Sequence, residues 1–204
     1  MCGRYYIDDD IRDERLKEQI AEAVRIATRI DAPIRTAGEI RPFDIAPVIA
    51  PSALNRKPGA FPMQWGFRHP TKGMPVFNTR SETVLEKPLF VTSVDERRCL
   101  IPASCYFEWK KLDAKRKEKY AFYAEDGEPL YLAGLYIRTS DTHRLPCCSI
   151  LTQSAHPEIR SIHERMPVLV PYSRAEEWLS PDTDLLGMIQ NLRVGVVPEK
   201  SQRS

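Results

Sequence analysis

The chain has 204 residues, of which 28% are charged, and a formal net charge of +2. That length suits one well-developed core, read here as a single domain over 1–204, and a pI near 8.3 falls short of a dedicated, strongly basic nucleic-acid binder. No apolar run approaches the roughly 20 residues that span a bilayer, so no membrane is expected. The five cysteines (Cys2, Cys99, Cys105, Cys147, Cys148) form no C-x-x-C pair and no zinc spacing. They point to a reduced, cytoplasmic setting with neither metal nor cofactor, and a monomer is the default.

The chain opens Met1-Cys2-Gly3-Arg4-Tyr5. Removal of Met1 would leave a thiol and a free α-amine on one residue, a 1,2-aminothiol. Such a pair attacks an aldehyde through nitrogen to give a Schiff base, then through sulfur to close a thiazolidine. With a pKa of about 7.8, roughly a quarter of an α-amine is neutral at pH 7.4, against about 0.1% of a lysine amine. Only the neutral amine is nucleophilic. On these residues alone, a small buried cysteine ahead of a first strand is the plainer reading.

Tyr5 to Ile7 reads as a strand. Asp8, Asp9 and Asp10 then offer N-caps for a helix from about Ile11 to Arg29, with Leu16, Ile20, Val24 and Ala27 on its core face. The proline-rich stretch from Ala32 to Pro62 reads as extended chain and loop with one short strand. Phe61 to Gly66 is a strand, Arg68 to Pro75 a polar loop, and Ser81 a helix start limited by Pro88. Arg98–Ala103 and Tyr106–Lys110 are strands, the second leading into a charged tip over Lys110–Lys119. Asp126-Gly127, between Tyr120–Ala124 and Leu130–Ile137, is a hairpin signal. Cys147–Thr152 is a further strand, Ser161–Pro167 a loop, and two helices over Ser173–Leu179 and Asp184–Leu192 close the chain. These elements predict an α+β fold: a mostly antiparallel, barrel-like sheet core with flanking helices.

Three more stretches put reactive groups in apolar surroundings. Asn78 follows Val76-Phe77, and Arg80 lies two residues on. Glu108 stands between Phe107 and Trp109, where desolvation would raise its pKa and suit it to proton transfer, unless strand alternation turns it to solvent. His163 lies in a loop, Ser161-Ile162-His163-Glu164-Arg165.

Taken together, MCGRY, WGF at Trp65, FNTRSET at Asn78, PASCYFEWK at Glu108 and IHERMPVLV at His163 resemble, in order and across nearly the whole chain, the SOS response-associated peptidase (SRAP) family. The resemblance implies the SRAP fold and a protein that binds single-stranded DNA and traps abasic sites, in a nucleoid or replication-fork context. It implies that Cys2 supplies both nucleophiles, His163 acid–base help in opening the sugar, Glu108 proton handling at the amine and in reversal, and Asn78 orientation. Arg4, Arg80 and Arg165 would meet phosphates, with Trp65 counted among the DNA-binding residues. The chain differs from the family pattern at Asp44, in the loop 68–73, which lacks aromatic residues, and in a short C-terminus from Val194. Three other readings remain: an autopeptidase releasing Met1, with Cys2, His163 and Glu108 as its triad; an N-terminal-nucleophile amidotransferase; and a non-covalent single-strand binder.

Overall fold

The computed structural model describes residues 2–69, 71–138 and 145–201. β1 (Arg4–Ile7) leads to α1 (Glu14–Arg29). The cap of α1 is Asp13, whose carboxylate accepts the Leu16 N–H at 2.7 Å. The helix therefore starts three residues later than the Asp8–Asp10 cluster suggested. Leu16, Ile20, Ala23 and Ala27 face the core, and Val24 is only half-buried.

The proline-rich stretch forms three strands rather than one: β2 (Gly38–Ile40), β3 (Ile45–Pro51) and β4 (Pro58–Trp65). The prolines are tolerated because of register. Pro47 faces Pro62 and Pro51 faces Pro58, four residues apart along the ladder. All four rings therefore occupy non-hydrogen-bonded pairs, where a missing N–H removes no bond from this ladder. A minimal hairpin comes next, β5 (Phe67–Arg68) with β6 (Pro75–Val76), then β7 (Asn78–Arg80), a 3-10 turn over Ser81–Glu86 and α2 (Val91–Glu96).

β8 (Arg98–Ala103), β9 (Cys105–Lys111), β10 (Lys117–Ala124), β11 (Leu130–Ile137) and β12 (Cys147–Ser154) complete the large strands. The charged tip is shorter than expected, because β9 and β10 pair out to Lys111 and Lys117. Asp113 closes the tip by accepting the Lys115 and Arg116 N–H groups, each at 2.9 Å. β10 and β11 are not a hairpin. A turn forms at Asp126-Gly127, with Gly127 N–H on Ala124 O at 3.2 Å, but β10 has both edges occupied, by β9 and by the C-terminal strand. The chain then passes to another sheet. Local turn chemistry bends the backbone; free edges decide what pairs.

After β12 come β13 (Arg165–Pro167), a 3-10 turn, α3 (Ala175–Leu179), α4 (Leu185–Asn191) and β14 (Val196–Lys200), a strand that the sequence pattern does not announce. Two larger sheets result. One has the order β14-β10-β9-β1-β2 and is antiparallel throughout. In the other, β11, β8, β3, β4 and β12 pair in turn and β12 returns to β11, closing a ring. β7 and β13 extend β12 beyond the ring. Closure removes the unpaired edges an open sheet would expose.

One core fills the ring and runs out to the inner face of the other sheet, from Cys99 and Ile101 to Tyr5, Tyr106 and Phe122. A second lies outside the ring, where α2, α3 and α4 cover Leu100, Leu135 and Val168 around a buried Trp178. The indole N–H of Trp178 donates to Cys99 O at 3.0 Å. β11 is therefore buried on both faces, which explains its unbroken apolar sequence. No helix among the described residues is long and apolar enough to cross a membrane.

Gly134, on β11, faces the ring interior. A Cβ there would lie 2.6 Å from Ile101 Cδ1 and 3.0 Å from Cys99 Sγ. Gly134→Ala is therefore expected to destabilise the protein by about 1–3 kcal/mol, lowering Tm by several degrees in thermal unfolding. An unchanged Tm would show that the ring packs more loosely than these distances require.

Candidate active site

Cys2 enters the interior because β1 is a central strand, paired with β2 on one edge and β9 on the other. The residue is fully buried. Its thiol lies 3.7 Å from Arg4 O, and its carbonyl accepts the Asn78 side-chain N–H at 2.6 Å. Asn78 comes from β7, held beside Ile150 of β12. Asn78 Oδ1 is buried and has no hydrogen-bond partner among the described residues, so one acceptor beside Cys2 is left for an incoming donor.

Glu108 comes from β9, and alternation has not turned it outward. It is 2% exposed. It shares its inward face with Tyr106, while Phe107 and Trp109 occupy the outer face of the sheet, in a small cluster with Cys105. Burial pushes the Glu108 carboxyl up to about 7. His163, at the mouth of the site, has Nε2 3.6 Å from Glu108 Oε2. Burial lowers the pKa of its imidazole. Its Nδ1 lies 3.1 Å from the Arg165 N–H and 3.0 Å from the Arg165 carbonyl. A neutral Nδ1 can accept from the first, and a protonated one can donate to the second.

Burial, and after it the charge of Glu108, pushes the Cys2 thiol far above its ordinary range. The sulfur thus rests as a protonated thiol, unlike the low-pKa thiolates of reactive cysteines. Glu108, poised near neutrality, is a proton acceptor of suitable strength close by. Asn78, Glu108 and His163 therefore gather around Cys2 from strands of both sheets and one loop.

The other named residues are placed differently. Arg4 donates to Glu39 at 2.7 Å and lies over the Trp109 ring, 5.5 Å from its centroid. Arg80 is exposed beside Asn78. Arg165 is engaged within the chain, donating to both Glu82 oxygens and, at 2.7 Å, to Thr152 O. Trp65 is a core residue, 1% exposed, and offers no face for a base to stack on. Its indole N–H donates to Phe77 O at 2.8 Å, and its ring packs on Tyr5 at 5.2 Å. It braces the residue that precedes Asn78 and the strand that begins after Cys2. Gly66 behind it has φ +92°, and a Cβ would come within 3.0 Å of Phe77 Cβ. Asp44 does not stand as an open negative charge: it accepts the Arg41 N–H and pairs with Arg35 at 3.2 Å.

Two parts of the site are not evident from the sequence. Tyr106 places a buried hydroxyl, without a partner among the described residues, within the electrostatic reach of Cys2 and Glu108; burial first, then those charges, raises its pKa. Its signal is its position two residues before Glu108, on the same strand face. The second part is Glu39, which gathers Arg4, Arg41 and Lys119 at 2.6–3.0 Å. Burial alone would raise its carboxyl, but hydrogen bonds from Lys119 and Arg41 outweigh it and hold the group low. No local pattern links residues that lie 35 and 80 positions apart.

Comparison with known proteins finds relatives that align with nearly the whole chain. Abasic site processing protein YoaM of Bacillus subtilis is 31% identical over 209 aligned positions, covering 94% of this chain and 85% of the relative. Abasic site processing protein YobE of the same organism is 32% identical over 94% of this chain and 88% of its own. Among solved structures, a protein from Bacteroides thetaiotaomicron superposes with a TM-score of 0.71 at 22% identity, covering 93% of this chain and 85% of that one. A phage-related protein from Bordetella bronchiseptica does so with the same score at 21% identity, covering 98% and 95%. The family model for SOS response associated peptidases matches residues 1–199. With nearly its whole length matched, the chain belongs to the SOS response associated peptidase (SRAP) family.

Proposed function

We propose that this protein processes abasic sites in single-stranded DNA by capturing the ring-opened sugar on Cys2. The observation that carries this reading is the immobilised Cys2, its carbonyl on Asn78 and its thiol beside an acid poised near pH 7. The resting thiol favours an order of events. The α-amine, exposed by loss of Met1, attacks the aldehyde first, and water leaves to give the Schiff base. The sulfur then adds to the imine carbon; its proton passes through Glu108 to the former imine nitrogen, and the thiazolidine closes. Protein and DNA are joined with net loss of one water. Ring closure removes the iminium that would otherwise promote β-elimination of the 3′ phosphate, so the strand stays whole.

His163 would assist furanose opening from the mouth of the site, and Asn78 Oδ1 would accept a hydrogen bond from the amine or the opened sugar. Arg4 and the exposed Arg80 would meet flanking phosphates, which fix register without reading sequence. Arg165 would do so only by exchanging Glu82 for a phosphate. Trp65 would act from behind, as a brace. A self-cleavage that releases Met1 is compatible with this scheme, but a thiol held protonated by burial is a poor starting nucleophile for proteolysis.

The test is intact mass before and after mixing with a single-stranded oligonucleotide carrying one abasic site. The expected result is loss of the Met1 mass, then an adduct of summed mass less water; Cys2→Ala yields no denaturation-stable species. Cys2→Ser is expected to convert protection into strand cleavage. A stable adduct on the Cys2→Ala protein, or none on the mature native protein, overturns the proposal.

Glu108 supplies a second prediction. Its folded pKa of about 7 lies above its ordinary 4.5, so the folded state holds this proton more tightly than the unfolded chain. The associated stability is complete below about pH 4.5 and is lost as pH rises to 7. Glu108→Gln escapes that loss, and its stability relative to the native protein should improve by about 1–3 kcal/mol between pH 4.5 and pH 8. Its capture rate at pH 7 should fall about 100-fold. Parallel pH dependence of the two melting curves would refute the buried, raised carboxyl.

A further inference from the structure

A cleft of about 760 Å³ opens where the C-terminal end of α1, the β3–β4 turn and the ends of α2 and β11 meet. None of the candidate active-site residues lines it. Its walls are mostly hydrocarbon, with Ile26, Pro51, Met63 and Leu145 contributing. Its volume is that of a site for a short peptide or a drug-sized molecule, far more than a single inorganic anion fills.

Three guanidinium groups border this apolar space, each from a different segment. Arg56 comes from the β3–β4 turn, Arg97 from the residue after α2 and Arg138 from the residue after β11. The one acid in the lining is Glu96, which is 63% exposed and 3.8 Å from Arg97. Arg56 and Arg138 have no acidic partner among the described residues. All three act on one point. Burial, then the Cys99 thiol, raises the pKa of the Tyr136 hydroxyl, and the charges of Arg138, Arg56 and Arg97 oppose that rise. Like charges gathered over a low-dielectric wall raise the local potential, which a bound anion relieves. Arg56 is also held at φ +61°, in a turn tied by Ser52 N–H to Lys57 O at 2.8 Å and Arg56 N–H to Ser52 O at 2.9 Å. Arginine in that region costs about 1 kcal/mol or more.

The lining selects among anions. A nucleotide would bring base edges that need several matched donors and acceptors, and apart from the arginines only Glu96 and Tyr136 offer polar side-chain groups here. A fatty acid would bring one negative charge to three separate cations. A peptide with several carboxylates beside a large apolar side chain answers both features. We propose that this cleft is a docking site for an acidic peptide segment of a partner protein, its apolar side chain on the hydrocarbon wall and its carboxylates on Arg56, Arg97 and Arg138.

The experiment is fluorescence anisotropy of the full chain with a labelled hexapeptide of four aspartates, then leucine and phenylalanine. Saturable binding is expected, weakened about tenfold by Arg56→Glu and again by Arg138→Glu. Both positions are exposed, so Tm should not change; should either reversal unfold the chain, Arg56→Gln and Arg138→Gln give smaller losses in the same direction. Replacing the leucine and phenylalanine by serines should weaken binding by a similar factor. No saturable binding, equal binding by the arginine variants, or equal binding of the serine peptide overturns the proposal. Displacement of the peptide by equimolar dAMP or decanoate overturns it too, reassigning the cleft to a small amphipathic anion.

Discussion

Chain ends ordinarily fray, whereas chemistry at an N-terminal residue requires that end to be held still. For the proposed capture on Cys2, the 2.6 Å hydrogen bond from Asn78 to the Cys2 carbonyl would meet this requirement, and it joins two halves of the molecule. Cys2 leads into the first strand of the five-stranded sheet, and Asn78 belongs to a strand attached to the ring. The bond exists only while the two sheets stay packed. Trp65 is the brace for that packing, with its ring on Tyr5 and its N–H on Phe77 O, one residue before Asn78. A tryptophan that touches no ligand can thus govern the geometry of a site on either side of it.

The same packing explains which parts were legible in the sequence. Helical periodicity marked the core face of α1, and short apolar runs marked β1, β8, β9, β11 and β12, because each signal is local. The ring closure was not legible: β12 pairs in parallel with β4 and β7 and antiparallel with β11 and β13, and no short window carries such register. The Asp126-Gly127 turn shows the limit plainly, since a sound turn signal gave no information about the sheet in which β11 would pair. The prolines of β3 and β4 misled for a related reason. Each ring alone argues against a strand, and only their mutual register removes the objection.

For the candidate site, the sequence named Cys2, Asn78, Glu108 and His163, which the fold gathers, but not Tyr106 or Glu39, and orientations were not legible. Glu108 could have faced either way, since both faces of β9 are buried. The inward face keeps the acid dry; the outward face places Phe107 and Trp109 under Lys119 and Arg4, where the rings are covered by cations that Glu39 holds together. Desolvation on one side and cation–π contact on the other come from a single strand alternating with period two. Distant sequence partners, Glu39 with Lys119 and Arg165 with Glu82, organise the surrounding charge, and nothing in their local sequence announces them.

The backbone of Arg165 offers His163 both an N–H and a C=O at nearly equal distance from the same ring nitrogen. An imidazole that gains or loses a proton usually has to find a new partner by rotating its ring or recruiting solvent. Here either protonation state has a partner with the ring in one position. Under the proposed acid–base role, the reorganisation attending a change of protonation at Nδ1 is therefore small, and the rate of such steps should be insensitive to solvent viscosity. A rotating ring, dragging on its surroundings with every transfer, would show that sensitivity.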